Sequence, residues 1–134
     1  MIVGFPGETQ EEFEETLSLV REVRFDALFT FVFSPREGTP AAKLPDPMQA
    51  EQKKENFQRL LEVQNEISAE KHQEYIGKTL LCLIDGEDDK GNLTARTAGN
   101  RLVHLMGSSA PVGQRRQVTI TNANTWALVG ELAE

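Results

Sequence analysis

An almost wholly apolar run from Ala27 to Phe33 (ALFTFVF) constrains the fold of this chain more than any other feature. A run of this kind is typical of a strand buried on both faces, as in a parallel sheet. Upstream, Ile2-Val3-Gly4-Phe5 predicts the end of another buried strand, and helical spacing predicts a helix over residues 10–23, capped by Thr9. Strand, helix and strand make one βαβ unit. Because one unit cannot cover both faces of such a strand, we expect residues 1–45 to be the end of a larger α/β barrel.

A second, longer helix is predicted over residues 46–75. Asp46 has the character of an N-cap, with Pro47 as the first helical residue and Gln49 as a capping-box partner. Gly77 is the expected stop. The apolar face of this helix is Phe57, Leu60, Leu61 and Ile67. We expect a linker helix that bridges two domains.

From Gly77 onward the spacing of apolar residues changes from helical to alternating, which indicates strands. The strand candidates are residues 78–85, 93–98, 101–106, 117–122 and 126–132, and a polar hairpin loop covers residues 86–92. Short strands separated by Gly, Asn, Pro and Ser turns predict a small antiparallel β-barrel over residues 76–134.

The acidic side chains are concentrated in the first part of the chain. The net charge is −7, and residues 1–74 carry 15 acidic and 8 basic side chains, which already gives −7. Residues 75–134 carry 6 of each and are neutral overall. The first part is therefore not expected to be a general nucleic-acid surface, whereas the second can still present a local basic patch.

A single cysteine, Cys82, excludes an internal disulfide and a multi-cysteine metal site within this sequence. No apolar run reaches the roughly 18 residues that a membrane span needs. Met1 leads directly into an apolar stretch without a basic region or a small-residue cleavage site. We therefore expect a cytoplasmic location, no membrane contact and no metal ligands in this chain.

Several segments, in order, carry a resemblance to a known family. They are IVGFPGET at 2–9, FSPREGTPA at 33–41, Arg59-Leu60-Leu61 with Gln64-Asn65-Glu66-Ile67, Arg96-Thr97, NRLVH at 100–104, VTIT at 118–121 and residues 126–132. Together they resemble the C-terminal part of the radical-SAM methylthiotransferases. Residues 75–132 are similar to that family's TRAM domain, a small β-barrel related to OB-type folds that binds RNA. The Arg-Thr-x-x-Asn-Arg pattern resembles the MiaB-type branch, which makes 2-methylthio-N(6)-isopentenyladenosine beside the tRNA anticodon.

The resemblance implies an enzyme only for a longer parent protein. That parent would carry two 4Fe–4S clusters and use S-adenosylmethionine, and cysteine thiolates are the ligands such clusters require. This chain has only Cys82. We therefore expect it to hold no catalytic residue and no cofactor, to be inactive alone, and to have as partners the parent's N-terminal and radical-SAM parts.

The candidate RNA-binding residues are Lys78, Arg96, Thr97, Asn100 and Arg101. Two arginines around a turn can grip adjacent phosphates, and asparagine can hydrogen-bond a base or ribose edge. Arg115 and Arg116 are candidates to extend the patch. The alternative is a solvated barrel surface. The resemblance names the tRNA anticodon stem-loop as the expected ligand.

A second set of candidates lies in the first part of the chain. The resemblance implies that Val3, Gly4 and Phe5 form a strand end facing the S-adenosylmethionine pocket, and that Ser34 and Arg36 lie at the barrel mouth near the nucleoside. The alternatives are an ordinary tight turn for the first group and a surface arginine for the second.

The remaining polar residues suggest no further site. His104 is predicted to be a packed or half-exposed histidine, and His72 a surface residue of a charged helix. The acidic stretch Asp85–Asp89 lacks the closing glutamate and flanking helices of a calcium loop. Two other functions stay open from the sequence: a stand-alone RNA-binding module, and a methylthiotransferase fragment that acts on a ribosomal protein.

Overall fold

The structure is a computed structural model that describes residues 1–133. The chain divides into two compact units, the first ending at Ile67 and the second beginning at Ser68. The elements are β1 (Ile2–Val3), α1 (Gln10–Val23), β2 (Phe31–Val32), a 3-10 helix (Pro40–Lys43), α2 (Ala50–Gln73), β3 (Thr79–Glu87), β4 (Leu93–Arg96), β5 (Leu102–Leu105), β6 (Arg115–Ala123) and β7 (Leu128–Leu132). In the described part of the chain, no helix is both long and apolar enough to cross a membrane.

The first unit contains the predicted βαβ arrangement. Strands β1 and β2 pair in parallel, with Val3 opposite Val32, and α1 connects them. Helix α1 starts where the sequence predicts, because Thr9 and Glu12 form a reciprocal capping box: the Thr9 hydroxyl accepts from the Glu12 backbone N–H, and the Glu12 carboxylate accepts from the Thr9 N–H. The core consists of Val3, Phe13, Leu17, Val20, Leu60 and Ile67. Helices α1 and α2 thus both contribute apolar side chains to one buried cluster.

The prediction of a doubly buried strand from Ala27 to Phe33 is wrong in extent and in burial. The strand comprises only Phe31 and Val32, and Phe31 is 60% exposed. Phe29 is 85% exposed. The physical reason is that β2 has β1 as its only strand neighbour, so no strand in residues 1–133 pairs with its far edge.

Helix α2 begins later than predicted. Its first residue is Ala50, and the backbone N–H of Lys53 donates to the carbonyl of Gln49. Asp46 is not the N-cap, because it lies four residues before the first helical residue; its carboxylate accepts from the Met48 N–H at 3.3 Å and contacts the Lys53 ammonium group. Both contacts stabilise the turn that precedes the helix. Gly77, with φ of +87°, lies in the turn after the last helical residue, Gln73, where a left-handed conformation favours glycine.

The second unit is the predicted small β-barrel. Its five strands close in the order β3-β4-β5-β7-β6. Four pairings are antiparallel, and the fifth, between β5 and β7, is parallel. Alternate residues fill the interior, as the two-residue period requires. The buried core is Cys82, Ile84, Leu93, Ala95, Val103, Leu105, Val118, Ile120 and Leu128.

The strand register determines which loops share an end of the barrel. Leu102 opposes Arg96, Val103 opposes Leu128, and Leu128 opposes Ala123. The end of β4, the start of β5, the start of β7 and the end of β6 therefore lie at one end, together with the start of β3. We call this the entry end. The acidic hairpin loop between β3 and β4 lies at the opposite end.

Candidate nucleic-acid interface

A groove of about 710 Å³ runs along the outer face of β3 and the end of β4. Its apolar members include the exposed side chains of Leu81 and Leu83, which alternate with the buried Cys82 and Ile84. Its polar members are Asp85, Arg96, Thr97, Asn100 and Arg115. Three of the predicted RNA-binding residues, Arg96, Thr97 and Asn100, thus lie on one surface with an arginine contributed by β6.

Arg96 is held in place by an acidic neighbour. Its Nε donates to Asp85 Oδ2 at 3.1 Å, and its Nη1 donates to the backbone carbonyl of Asn100 at 3.4 Å. Asp85 also accepts from the Thr94 hydroxyl at 2.7 Å. The Thr94 hydroxyl and then the Arg96 guanidinium hold the pKa of the Asp85 carboxyl below its usual value. The pair orients Arg96 along the groove and offsets part of its charge.

Thr97 and Asn100 build the turn between β4 and β5. The Thr97 N–H donates to the Arg101 carbonyl, the Asn100 N–H to the Thr97 carbonyl at 2.9 Å, and the Arg101 N–H to the Thr97 hydroxyl at 3.0 Å. Asn100 has φ of +63°, a left-handed conformation that asparagine tolerates better than most residues. The Thr97 hydroxyl therefore stabilises the turn, and both Thr97 and Asn100 line the groove.

Lys78 and Arg101 meet on the ring of Tyr75. The Arg101 guanidinium carbon lies 4.9 Å from the ring centroid, and the Lys78 ammonium nitrogen lies 5.4 Å from it. Both distances are within the range of a cation–π contact. The predicted set is thus divided: Arg96, Thr97 and Asn100 line the groove, while Lys78 and Arg101 share an aromatic ring at the entry end. Tyr75 was not among the predicted site residues.

Sequence reasoning also missed three apolar residues of this unit: Leu81, Leu83 and Trp126. Trp126 lies in the β6–β7 loop and is 75% exposed. The signal that could have found it is a lone tryptophan next to an Asn-Thr turn, where an indole has few neighbours. Leu81 and Leu83 are the outward members of an alternating strand, a position that the pattern usually gives to polar residues.

In the first unit, the predicted strand-end residues lie at the carboxyl edge of the two-stranded sheet. The Val3 carbonyl accepts from the Phe33 N–H at 2.8 Å. Gly4 has φ of +75°, its N–H donates to Glu8 Oε1, and a Cβ there would lie 2.8 Å from the aliphatic chain of Lys53. The Phe5 and Phe33 rings meet edge to face at 5.3 Å.

Ser34 and Arg36 line a different surface from Gly4. They border a groove of about 570 Å³, and the Arg36 carbonyl accepts from the Thr39 hydroxyl at 2.7 Å. The other lining residues are Ile2, Phe31, Val32, Phe33, Thr39 and Ala41. The structure therefore brings Ser34 and Arg36 together, and the neighbouring Phe33 contacts the strand end through both the Val3 carbonyl and the Phe5 ring.

Neither histidine is part of a metal cluster: within residues 1–133, no three His, Cys, Asp or Glu side chains could hold an ion. The surface assignment of His72 is wrong. It is buried, and its Nδ1 lies 2.7 Å from the carbonyl oxygen of Asn124, because the last turn of α2 belongs to the second unit. His104 is half-exposed as predicted, with Nδ1 3.3 Å from Asp88 Oδ2. Burial raises the pKa of the Cys82 thiol, which disfavours the thiolate that a metal needs.

Comparisons with known proteins agree with this division of the chain. Residues 73–133 match the TRAM domain. The whole chain is 53% identical to a "tRNA-2-methylthio-N(6)-dimethylallyladenosine synthase" of Bacillus cytotoxicus and covers 27% of that protein. Proteins of the same name from Anoxybacillus flavithermus and Halalkalibacterium halodurans are 53% and 49% identical over the whole chain, which covers 26% and 25% of their lengths. The chain thus spans about a quarter of the length of these relatives. It belongs to their family, corresponds to their C-terminal region and contains a TRAM domain.

Proposed function

We propose that this chain is the RNA-binding end of an enzyme that methylthiolates N(6)-dimethylallyladenosine in tRNA, beside the anticodon. The observation that carries the proposal is the identity of 49–53% across the whole chain to synthases named for this product. The TRAM match supports a role in RNA contact rather than in the reaction. A cytoplasmic location accompanies the proposal, because the substrate named for the relatives is a tRNA.

The groove on β3 and β4 is suited to a nucleic-acid backbone. Arg96 and Arg115 supply guanidinium groups that can pair with phosphate oxygens, and Asn100 supplies an amide beside them. The exposed Leu81 and Leu83 offer apolar surface to sugars and base faces. Lys78 and Arg101 would extend the contact toward the entry end. We propose that the anticodon stem-loop of the tRNA occupies this surface.

The first unit would border the reaction centre of the longer protein. Val3, Gly4 and Phe5 end one parallel strand, and Ser34 and Arg36 follow the next, at the sheet edge where α/β folds bind ligands. We propose that they lie near S-adenosylmethionine and the target nucleoside. The parent's missing strands would cover the exposed Phe29 and Phe31.

The 4Fe–4S clusters that the resemblance implies do not fit the residues of this chain. A cluster of this kind requires several thiolates, whereas the only cysteine is buried in the barrel core. The clusters belong to the parent's other parts, and the isolated chain is proposed to be catalytically inactive. Its own residues would bind and orient the RNA.

The test is filter binding of a tRNA anticodon stem-loop to the chain over a salt series. Arg96→Ala and Arg101→Ala should each lower the affinity by about 1–2 kcal/mol, the usual scale for a charge-assisted hydrogen bond. Each should also reduce the log–log salt slope by roughly 0.7–0.9, because one fewer phosphate is neutralised. Arg21→Ala, on the exposed side of α1, is the matched control and should bind like the wild type.

Two results would contradict this surface. Unchanged affinity and slope in both barrel variants would place the RNA elsewhere. An equal loss in the Arg21→Ala control would show that the binding follows general charge rather than the groove.

A further inference from the structure

We propose that Trp126 is a stacking platform for an unpaired nucleobase at the entry end of the barrel. The inference rests on the proposed RNA binding and goes beyond it, since it assigns base contact to a residue outside the basic groove. Aromatic faces that stack bases without sequence preference are a general device for binding single-stranded nucleic acid. Unpaired bases in RNA loops are the part of a folded RNA that can reach such a face.

The indole is displayed to solvent by a loop with defined hydrogen bonds. Trp126 is 75% exposed and is the only tryptophan of the chain. Asn124 Oδ1 accepts from the Trp126 N–H at 2.9 Å and from the Ala127 N–H at 2.8 Å. The Asn124 N–H in turn donates to the Ala127 carbonyl at 2.9 Å. The backbone that carries the indole is therefore fixed although the ring has little protein contact.

Two residues at the end of α2 hydrogen-bond to the backbone of the same loop. His72 Nδ1 lies 2.7 Å from the Asn124 carbonyl, and the Gln73 side-chain amide donates to the Ala123 carbonyl at 3.3 Å. A surface that is already ordered pays less conformational entropy on binding than a mobile loop does. The buried histidine thus acts as a positioning residue for the exposed tryptophan.

The surroundings of Trp126 favour an anionic, base-bearing ligand. In the parallel pairing of β5 with β7, Val103 opposes Leu128. Arg101 lies two residues before Val103 and Trp126 two residues before Leu128, so both belong to segments at the entry end. Arg101 is itself stacked on Tyr75 beside Lys78. The acidic hairpin loop is at the opposite end of the barrel. An exposed aromatic face at the same barrel end as two cations matches a base and its phosphate.

The test uses the intrinsic fluorescence of the single tryptophan in the full chain. The first probe is an RNA stem-loop with an unpaired loop, and the second is the same stem-loop with abasic sites throughout the loop. Stacking predicts quenching by the first RNA and little change with the second. Trp126→Ala should weaken binding of the first RNA by about 5- to 150-fold, and Trp126→Phe should retain most of the affinity.

Phe29→Ala is the matched control, since it removes an aromatic ring that is 85% exposed in the first unit. It should leave RNA affinity unchanged. If wild type and Trp126→Ala bind the first RNA equally well, or if no quenching accompanies binding, the stacking proposal is overturned while the proposed RNA binding stands. If the wild type binds neither RNA, the proposed RNA binding fails, and the stacking proposal fails with it.

Discussion

At the scale of single residues, the contact between Arg96 and Asp85 determines how much positive charge the groove offers. The carboxylate accepts from the Arg96 guanidinium and from the Thr94 hydroxyl, and these contacts lower its pKa. A carboxyl whose pKa is lowered by folding stays ionised above its ordinary value and loses the stabilisation as the pH falls through its folded value. The pair is therefore intact throughout the neutral range and opens only in acid, below the ordinary pKa of an aspartate.

Replacing this acid should strengthen RNA binding. Asp85→Asn removes a negative charge from the groove and releases the Arg96 guanidinium, while an amide oxygen can still accept from Thr94. We expect RNA affinity to rise about 2- to 5-fold, the scale of a partly exposed ion pair, with a steeper salt dependence. Filter binding of the anticodon stem-loop from pH 6 to pH 8 measures this, and the difference between the proteins should not vary with pH. A weaker Asp85→Asn complex would mean that positioning by Asp85 outweighs its charge.

Sequence reasoning selected the basic residues of the second unit but not the side chains that organise them. Arg96 and Asn100 were identified through a family pattern, and both line the groove. The contact of Tyr75 with Arg101 and that of His72 with Asn124 both join residues more than twenty positions apart in the chain. A local pattern carries no information about such partners.

At the scale of helices and strands, elements with local start signals were predicted well and those that depend on neighbours were not. The Thr9–Glu12 box fixes the start of α1 because all its hydrogen bonds lie within one turn. The predicted start of α2 is four residues too early, because the Asp46 carboxylate binds the Met48 N–H and the Lys53 ammonium group in the segment that precedes the helix. The barrel itself was predicted from its alternating strands, whereas the parallel β5–β7 pairing was not. That pairing is set by barrel closure, which no single strand encodes.

Strand β7 crosses its neighbour closely at Gly130. A Cβ at this position would lie 2.7 Å from the Thr119 carbonyl oxygen and 2.7 Å from Val118 Cγ1. Gly130→Ala should therefore destabilise the barrel by about 1–3 kcal/mol, since backbone and core must shift. For a domain of this size each kcal/mol lowers the melting temperature by roughly 4–8 °C. Gly86→Ala is the control, because a Cβ there would have Thr94 Oγ1 as its nearest neighbour, at an ordinary 3.7 Å. Equal melting temperatures for Gly130→Ala and the wild type in calorimetry would contradict the close approach.

At the scale of the whole molecule, the two units differ in how completely their sheets are paired. Each barrel strand has a partner on both sides, whereas β1 and β2 have one partner each. We expect backbone amides of β3–β7 to be strongly protected in native-state hydrogen exchange and those of β1 and β2 to exchange much faster, because singly paired strands open at lower cost. Mass spectrometry of peptides from both units measures this. Equal protection in the two units would show that the first is a complete fold.

The division of the chain was predictable because apolar spacing changes its period near Gly77, a signal that needs no structural context. The position of the boundary at Ser68 was not predictable from this spacing. The end of α2 belongs to the second unit because His72 and Gln73 hydrogen-bond to its β6–β7 segment. The sequence also predicts that residues 1–45 belong to a larger sheet, because one βαβ unit cannot bury an aromatic strand. The exposure of Phe29 and Phe31 is consistent with that prediction.

The position of β7 between β5 and β6 has a consequence for synthesis of the chain on the ribosome. Until Leu128–Leu132 has been translated and has left the exit tunnel, β5 and β6 each lack one partner, and the barrel cannot close. A nascent or prematurely stopped chain would present two open strand edges at once, the geometry from which intermolecular strand pairing starts. Closure of this barrel, and with it the proposed RNA-binding surface, therefore depends on β7.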